Sequence, residues 1–224
     1  MSMKRTENVK CPHCGKTSEF TVWDSINTDI DPDMEKAVRD RSAFLFHCPE
    51  CGDETYFDYG FLYHNMTSKI MIQYADSDEM AEEFLDAIKE SENMEMLEDI
   101  VNNDYTVRVV RSRNRLIEKL MIFDAGLDDR IIEIYKFMVL LKYQKEKEEC
   151  EDPELYFYCG DDGKKAVFIY ESGEYICSSG LDDGLYKELA ERYGNMLPEM
   201  QKGEMFIDEN WAYSFLTGNV EEEQ

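Results

Sequence analysis

Apolar residues recur along this chain at two different periods, and the switch between them marks out its elements. Phe20-Thr21-Val22-Trp23 alternates as a strand, Pro32 opens a helical stretch through Val38, and Phe44-Leu45-Phe46 returns as a strand. Residues 55–57 and 70–74 read as two more strands, with Tyr63-His64-Asn65 in the turn region between them. From Asp76 the period lengthens. Met80, Phe84 and Ile88 repeat at four-residue spacing on a helix that Asp76 or Ser77 caps, and Ser91 caps a second helix carrying Met94, Leu97 and Val101. Their polar faces hold Glu79, Glu82, Glu83, Asp86, Glu90, Glu92, Glu95, Glu98 and Asp99, either a solvated face or a docking surface for a basic protein.

Tyr105, Val107 and Val109 then alternate as a strand, and Leu116, Ile117, Leu120 and Met121 form the apolar side of the next helix. A four-residue word occurs twice, as Gly126-Leu127-Asp128-Asp129 and Gly180-Leu181-Asp182-Asp183. Each copy reads as a helix start: glycine ends one element, leucine staples and aspartate caps. Paired aspartates also resemble half of a metal or acid/base site, but capping already explains both. After Asp128, Ile131, Ile132, Ile134, Phe137, Met138, Leu140 and Leu141 make a helix apolar around most of its circumference, which places it centrally in a core.

The charged stretch 144–152, ending at Pro153, is the expected boundary between a domain over residues 8–148 and an acidic α+β unit over residues 149–224. In the latter, residues 155–158, 166–170 and 175–177 read as short strands, residues 182–193 as a helix, and residues 220–224 as a frayed end. The fold class expected is α+β.

The candidate chemistry lies in a second repeated word. Cys11-Pro12-His13-Cys14-Gly15 and Cys48-Pro49-Glu50-Cys51-Gly52 supply four thiolates in metal-ligand spacing. Proline presets φ in each turn, and glycine permits the positive φ that follows. Two such knuckles predict one tetrahedral zinc held by Cys11, Cys14, Cys48 and Cys51, better than a redox dithiol, which would want a βαβ context around one motif. Four sulfurs leave no open position, so the zinc is expected to be structural, with His13 and His47 outside the ligand set. The elements between the knuckles make this a zinc ribbon split by an insertion, on a small antiparallel sheet packed with helices. Cys150, Cys159 and Cys177 lack knuckle spacing and read as ordinary free thiols.

Charge narrows the partners. The 224 residues hold 50 acids against 24 bases, a formal charge of −26 that repels nucleic acid and anionic membrane surfaces. The N-terminus has no apolar signal region and no stretch is apolar enough to span a membrane, which together with thiol-rich metal spacing predicts a cytoplasmic protein. Against the acidic background, Arg108, Arg111, Arg113 and Arg115 crowd a strand end and a first helical turn. They form either an anion site or the partners of neighbouring carboxylates.

The twin C-P-x-C motifs, Tyr63-His64-Asn65, Arg108-Val109-Val110, and the stretch from Leu116-Ile117-Glu118-Lys119 to Gly126-Leu127-Asp128-Asp129-Arg130 together resemble the CpXC domain family of bacterial and archaeal proteins. The resemblance spans roughly residues 8–145 and implies a zinc-bearing domain and a prokaryotic source, without implying a substrate. The function expected is a non-catalytic adaptor whose partner is another protein; no small-molecule ligand is specified. The alternatives are an enzyme acting on an anionic substrate through His64 and the arginines, and a nucleic-acid-associated ribbon, which the absence of a basic stripe disfavours.

Overall fold

The structure, a computed structural model, describes residues 2–90, 104–147, 152–197 and 204–222, with the side chains of 89, 90 and 219–222 left aside. The helix expected from Ser91 through Met94, Leu97 and Val101, its acidic residues, Cys150 and residues 223–224 lie outside the described residues. The chain divides into two compact units, Met1–Arg113 and Asn114–Gln224.

The first unit is built on a five-stranded sheet of order β1-β2-β5-β6-β7 and a separate hairpin, β3-β4. Its strands are β1 (Met3–Lys10), β2 (Thr17–Asn27), β3 (Leu45–His47), β4 (Glu54–Tyr56), β5 (Phe61–Asn65), β6 (Ile70–Tyr74) and β7 (Thr106–Val110). Helix α1 (Asp33–Arg39) lies between β2 and β3, and α2 (Asp78–Glu90) follows β6. The main sheet is mixed rather than antiparallel. β1–β2 and β5–β6 are antiparallel neighbours, whereas β2–β5 and β6–β7 run parallel. The reason is connectivity: β2 reaches β5 only after α1 and the β3-β4 hairpin, and such long crossovers bring the chain back in the same direction.

Two elements differ from the sequence reading. Tyr63-His64-Asn65 forms the end of β5 instead of a turn, because Phe61 and Tyr63, two residues apart, both bury against the core. The turn follows at residues 66–69, where Asp29 accepts the Met66 and Thr67 N–H groups and Lys69 takes a φ of 54°. Strand β1 carries no apolar alternation and is exposed at every residue but half-buried Val9, so nothing in its own pattern marks it as a strand. Its pairing runs the length of the hairpin, from Met3 opposite Ser25 to Lys10 opposite Thr17. Ser77 provides the α2 cap by accepting the Met80 N–H at 3.2 Å, and Asp76 instead accepts the Gly60 N–H at 3.0 Å.

The second unit comprises α3 (Arg113–Asp124), α4 (Asp129–Glu146), β8 (Glu154–Cys159), β9 (Lys165–Glu171), β10 (Glu174–Gly180), α5 (Asp183–Tyr193) and α6 (Glu209–Glu222), with α3 beginning at the division. Its sheet is antiparallel, in the order β10-β9-β8. One face of it, Leu155, Val167 and Ile169, shares a core with Ile131, Ile134 and Tyr135 of α4 and Leu189 of α5. Phe157 packs with Ile122 of α3 and Ile132 of α4. The expected division at 148/149 therefore falls inside this unit: α3 and α4 cannot bury their apolar faces without the strands that follow them. The two Gly-Leu-Asp-Asp words cap as read, Asp128 accepting the Arg130 N–H at 2.9 Å and Asp182 those of Gly184 and Leu185 at 2.8 and 3.1 Å. Helix α6 was not anticipated, though Trp211, Phe215 and Leu216 on one side and Asp208 accepting the Trp211 N–H carry its signal.

Candidate metal centre

Each cysteine pair sits in the turn of an antiparallel hairpin, the first between β1 and β2 and the second between β3 and β4. The two turns close with the same backbone bonds. Cys11 N–H donates to Lys16 O at 2.8 Å and Gly15 N–H to Cys11 O at 2.9 Å; Cys48 N–H donates to Asp53 O and Gly52 N–H to Cys48 O, both at 2.9 Å. Gly15 and Gly52 take φ values of 71° and 73°, the left-handed conformation that glycine adopts without steric cost. The repeated word thus folds twice into one local structure.

The hairpins bring all four Sγ atoms within 4.8 Å of one another. Across the pair, Cys11 faces Cys51 at 3.8 Å and Cys14 faces Cys48 at 3.7 Å. Thiolates about 2.3 Å from a central zinc stand about 3.8 Å apart along the edges of a tetrahedron. The observed separations match that edge and are far beyond the roughly 2.05 Å of a disulfide. The four residues present therefore fit a tetrahedral metal ion.

Cys11 and Cys48 are buried, and Cys14 and Cys51 face outward. Beneath the buried pair, Phe20, Phe46 and Phe57 meet in a triangle with centroids 5.4–5.9 Å apart, and Val9 completes the apolar floor. This floor excludes water from one side of the sulfurs and raises the cost of uncompensated charge there. Burial works against ionising Cys48, but the Cys51 and Glu50 N–H groups and the Cys51 and Cys11 thiols bring it down to about 7. The Asp53 N–H also favours the Cys51 thiolate, yet burial and the neighbouring Cys48, Cys14 and Cys11 push that thiol up to about 12. Cys14 is likewise raised: the Lys16 N–H favours its thiolate, and burial together with Cys48 and Cys11 outweighs it. The cluster thus favours the Cys48 thiolate and resists ionising Cys14 and Cys51, a repulsion that a divalent cation removes.

The remaining candidates are spread more widely. His13 and His47 are exposed, and His47 Nδ1 lies 3.1 Å from Glu54 Oε1. His64 is half-buried, its Nδ1 3.3 Å from Asn27 Nδ2 and its Nε2 3.1 Å from the Tyr105 hydroxyl. Burial holds its pKa below the ordinary 6.5, with the N-terminal amine adding to the effect and Asp29 opposing it. The register aligns His64 with Met71 and Val107, and Tyr63 with Ile72 and Arg108. His64 and Arg108 thus occupy opposite faces of the sheet. Arg108 is buried and donates to Val107 O. Arg111 pairs with Asp78 at 2.8 Å and donates to Ser77 O. Arg113 pairs with Asp58 at 2.6 Å, donates to Phe57 O and stacks 4.5 Å over the Phe44 ring. In the second unit, Arg115 pairs with Glu118 and Glu209 at 3.0 and 3.1 Å and donates to Leu155 O.

The family model described as CpXC protein matches residues 9–136, more than half of the chain. The chain belongs to the CpXC family. The CpXC match contains both cysteine pairs and runs through α3 into α4, so it crosses the division between the two units and ends before β8. Comparison with curated proteins and with solved structures finds no match. In this member of the CpXC family the four cysteines are brought together with metal-ligand geometry. Among the described residues, no helix is long and apolar enough to cross a membrane.

Proposed function

We propose that this CpXC protein is a cytoplasmic zinc-binding protein in which one structural zinc per chain joins two knuckle hairpins, and that it works without catalysis, as an adaptor between proteins. The observation that carries the metal reading is the tetrahedral spacing of Cys11, Cys14, Cys48 and Cys51. Four thiolates complete the coordination of zinc, and catalytic zinc normally keeps one position for water or substrate. The adaptor reading draws on the exposed acids of α2, Glu79, Glu82, Glu83 and Asp86, within a chain of charge −26. The enzyme alternative draws no such support, since His64 and Arg108 stand on opposite faces of one sheet and Arg111, Arg113 and Arg115 each hold a carboxylate.

Elemental analysis of the wild type should find one zinc per chain, and Cys48→Ser should lose it. Structural zinc in finger peptides contributes an apparent 10–16 kcal/mol or so, far above the stability of two short hairpins, so amide protection across residues 8–60 should collapse in the variant. A zinc-free wild type, or unchanged protection in Cys48→Ser, would remove the structural metal. For the adaptor role, a protein captured from the native host by wild type should be lost with Glu82→Lys/Glu83→Lys. Equal capture by both forms would remove α2 as the docking surface.

A further inference from the structure

The sheet of the second unit buries one face and leaves five aromatic rings on the other. β8 contributes Tyr156 and Tyr158, β9 contributes Phe168 and Tyr170, and β10 contributes Tyr175, all opposite to the face formed by Leu155, Val167 and Ile169. The rings form one continuous chain. Tyr156 meets Tyr170 at 5.8 Å, Tyr170 meets Tyr175 at 5.9 Å, Tyr175 meets Phe168 at 5.6 Å and Phe168 meets Tyr158 at 5.1 Å between centroids. Yet Tyr158 remains 43% exposed and Tyr175 55% exposed. A contiguous aromatic patch left in water marks a contact surface, since tyrosine supplies large apolar area with few rotamers to freeze.

Two observations define what fits there. β10 is an edge strand, exposed at every residue except half-buried Cys177, and carries a single charge, Glu174. Among the described residues its outer edge has no strand partner, and opposite half-buried Phe168 it carries only the small Ser178. An open edge is complemented by an extended segment. The second observation is charge. Glu154 shares the aromatic face, and the strand ends around it carry Asp161, Asp162, Glu174 and Asp182 against Lys164 and Lys165. The Tyr156 ring already holds one guanidinium, that of Arg115, at 4.3 Å. Tyrosine faces with an acidic rim favour flat, weakly hydrated cations, and guanidinium stacks better than ammonium. A second copy of a chain carrying −26, like any polyanion, is repelled.

We propose that this face binds an extended, arginine-bearing segment of a partner protein, whose backbone pairs along β10 and whose continuation crosses the face, with guanidinium groups over Tyr175, Phe168 and Tyr158. The partner's class rests on the adaptor reading above; the site itself owes nothing to the metal.

The test titrates the full zinc-loaded chain with labelled peptides that alternate arginine and threonine, against the same peptides with lysine, at about 0.15 M salt where long-range attraction is screened. The arginine peptide should bind several-fold more tightly than the lysine peptide. Tyr158→Ala/Tyr175→Ala should lower its affinity about tenfold and abolish the preference, because each exposed stacked ring is worth a few-fold in binding. Tyr158→Phe/Tyr175→Phe should keep the preference, and amides of residues 174–180 should gain protection on binding. Equal affinity for both peptides, or no effect of the alanine pair, would reduce the binding to net charge and overturn the proposal. So would a concentration-dependent dimer lost in the alanine variant, which would assign the face to a second copy. In each of these failures, zinc content and α2-dependent capture would stand as separate measurements of the earlier reading.

Discussion

Replacing Glu118 with glutamine removes one charge from the most buried ion network of the second unit. Glu118 is 1% exposed and accepts the Phe157 N–H at 2.6 Å, Lys136 Nζ at 2.9 Å and Arg115 Nη1 at 3.0 Å, so one carboxylate ties α3, α4 and β8 together. Lys119 continues the network to Asp129 and Glu133 at 3.0 and 3.2 Å, and Lys136 reaches Glu133 at 2.9 Å. Inside the core three cations, Arg115, Lys119 and Lys136, balance three buried acids, Glu118, Asp129 and Glu133, while the exposed Glu209 meets Arg115 from the solvent side. Glutamine can still accept from Phe157 but leaves an excess positive charge in a dry site. Breaking a buried pair by removing one partner costs about 3–5 kcal/mol. Arg115 keeps Glu209 and the Leu155 carbonyl, and Lys136 keeps Glu133, which places Glu118→Gln near the lower end, about 3 kcal/mol. Hydrogen exchange at Phe157 and Val167 reports this unit separately from the one that holds the four cysteines. Adding Lys136→Gln should recover part of the loss, with a coupling of about 1–3 kcal/mol. Burial raises the Glu118 pKa, but Lys136, Arg115, Lys119 and the Phe157 N–H together hold it below the ordinary 4.5. The wild-type stability from this group is therefore present above about 4.5 and is lost as pH falls through the lowered folded value, a limb that Glu118→Gln should flatten. A cost under about 1 kcal/mol, or a double variant equal to the sum of its singles, would refute the reasoning.

Gly60→Ala should destabilise the first unit by more than about 2 kcal/mol, because an added Cβ would stand 2.8 Å from the Tyr74 carbonyl oxygen, which belongs to β6 and cannot move aside, and would collide with Met80 Sδ; a denaturant midpoint unchanged from wild type would contradict that packing. Metal content measured by dialysis should fall between about pH 8 and about pH 5, since protons compete for the same four sulfurs, and retention across that range would argue against thiolate ligation. In gel-shift titrations at physiological salt, neither duplex DNA nor single-stranded RNA should bind tightly, and sub-micromolar, strongly salt-dependent binding would reveal a basic face.

What the sequence alone determined was mostly local. The four-cysteine cluster was legible because each pair sits in a five-residue turn whose proline, glycine and cysteine spacing encode it wherever it occurs. The caps at Asp128 and Asp182, the apolar helix α4 and the three strands of the second unit were legible for the same reason: each is specified by contacts a few residues apart. Tertiary structure decided what depends on distant partners. β1 is a strand only because β2 lies beside it, and Tyr63 and His64 belong to a strand because the core takes Phe61 and Tyr63 together. Parallel pairing of β2 with β5 and β6 with β7, which puts His64 and Arg108 on opposite faces, is set by crossovers that no local pattern records. The charged stretch around residue 148 suggested a boundary, but α3 and α4 share their core and their buried charges with β8, and a helix belongs to the unit that covers its apolar face.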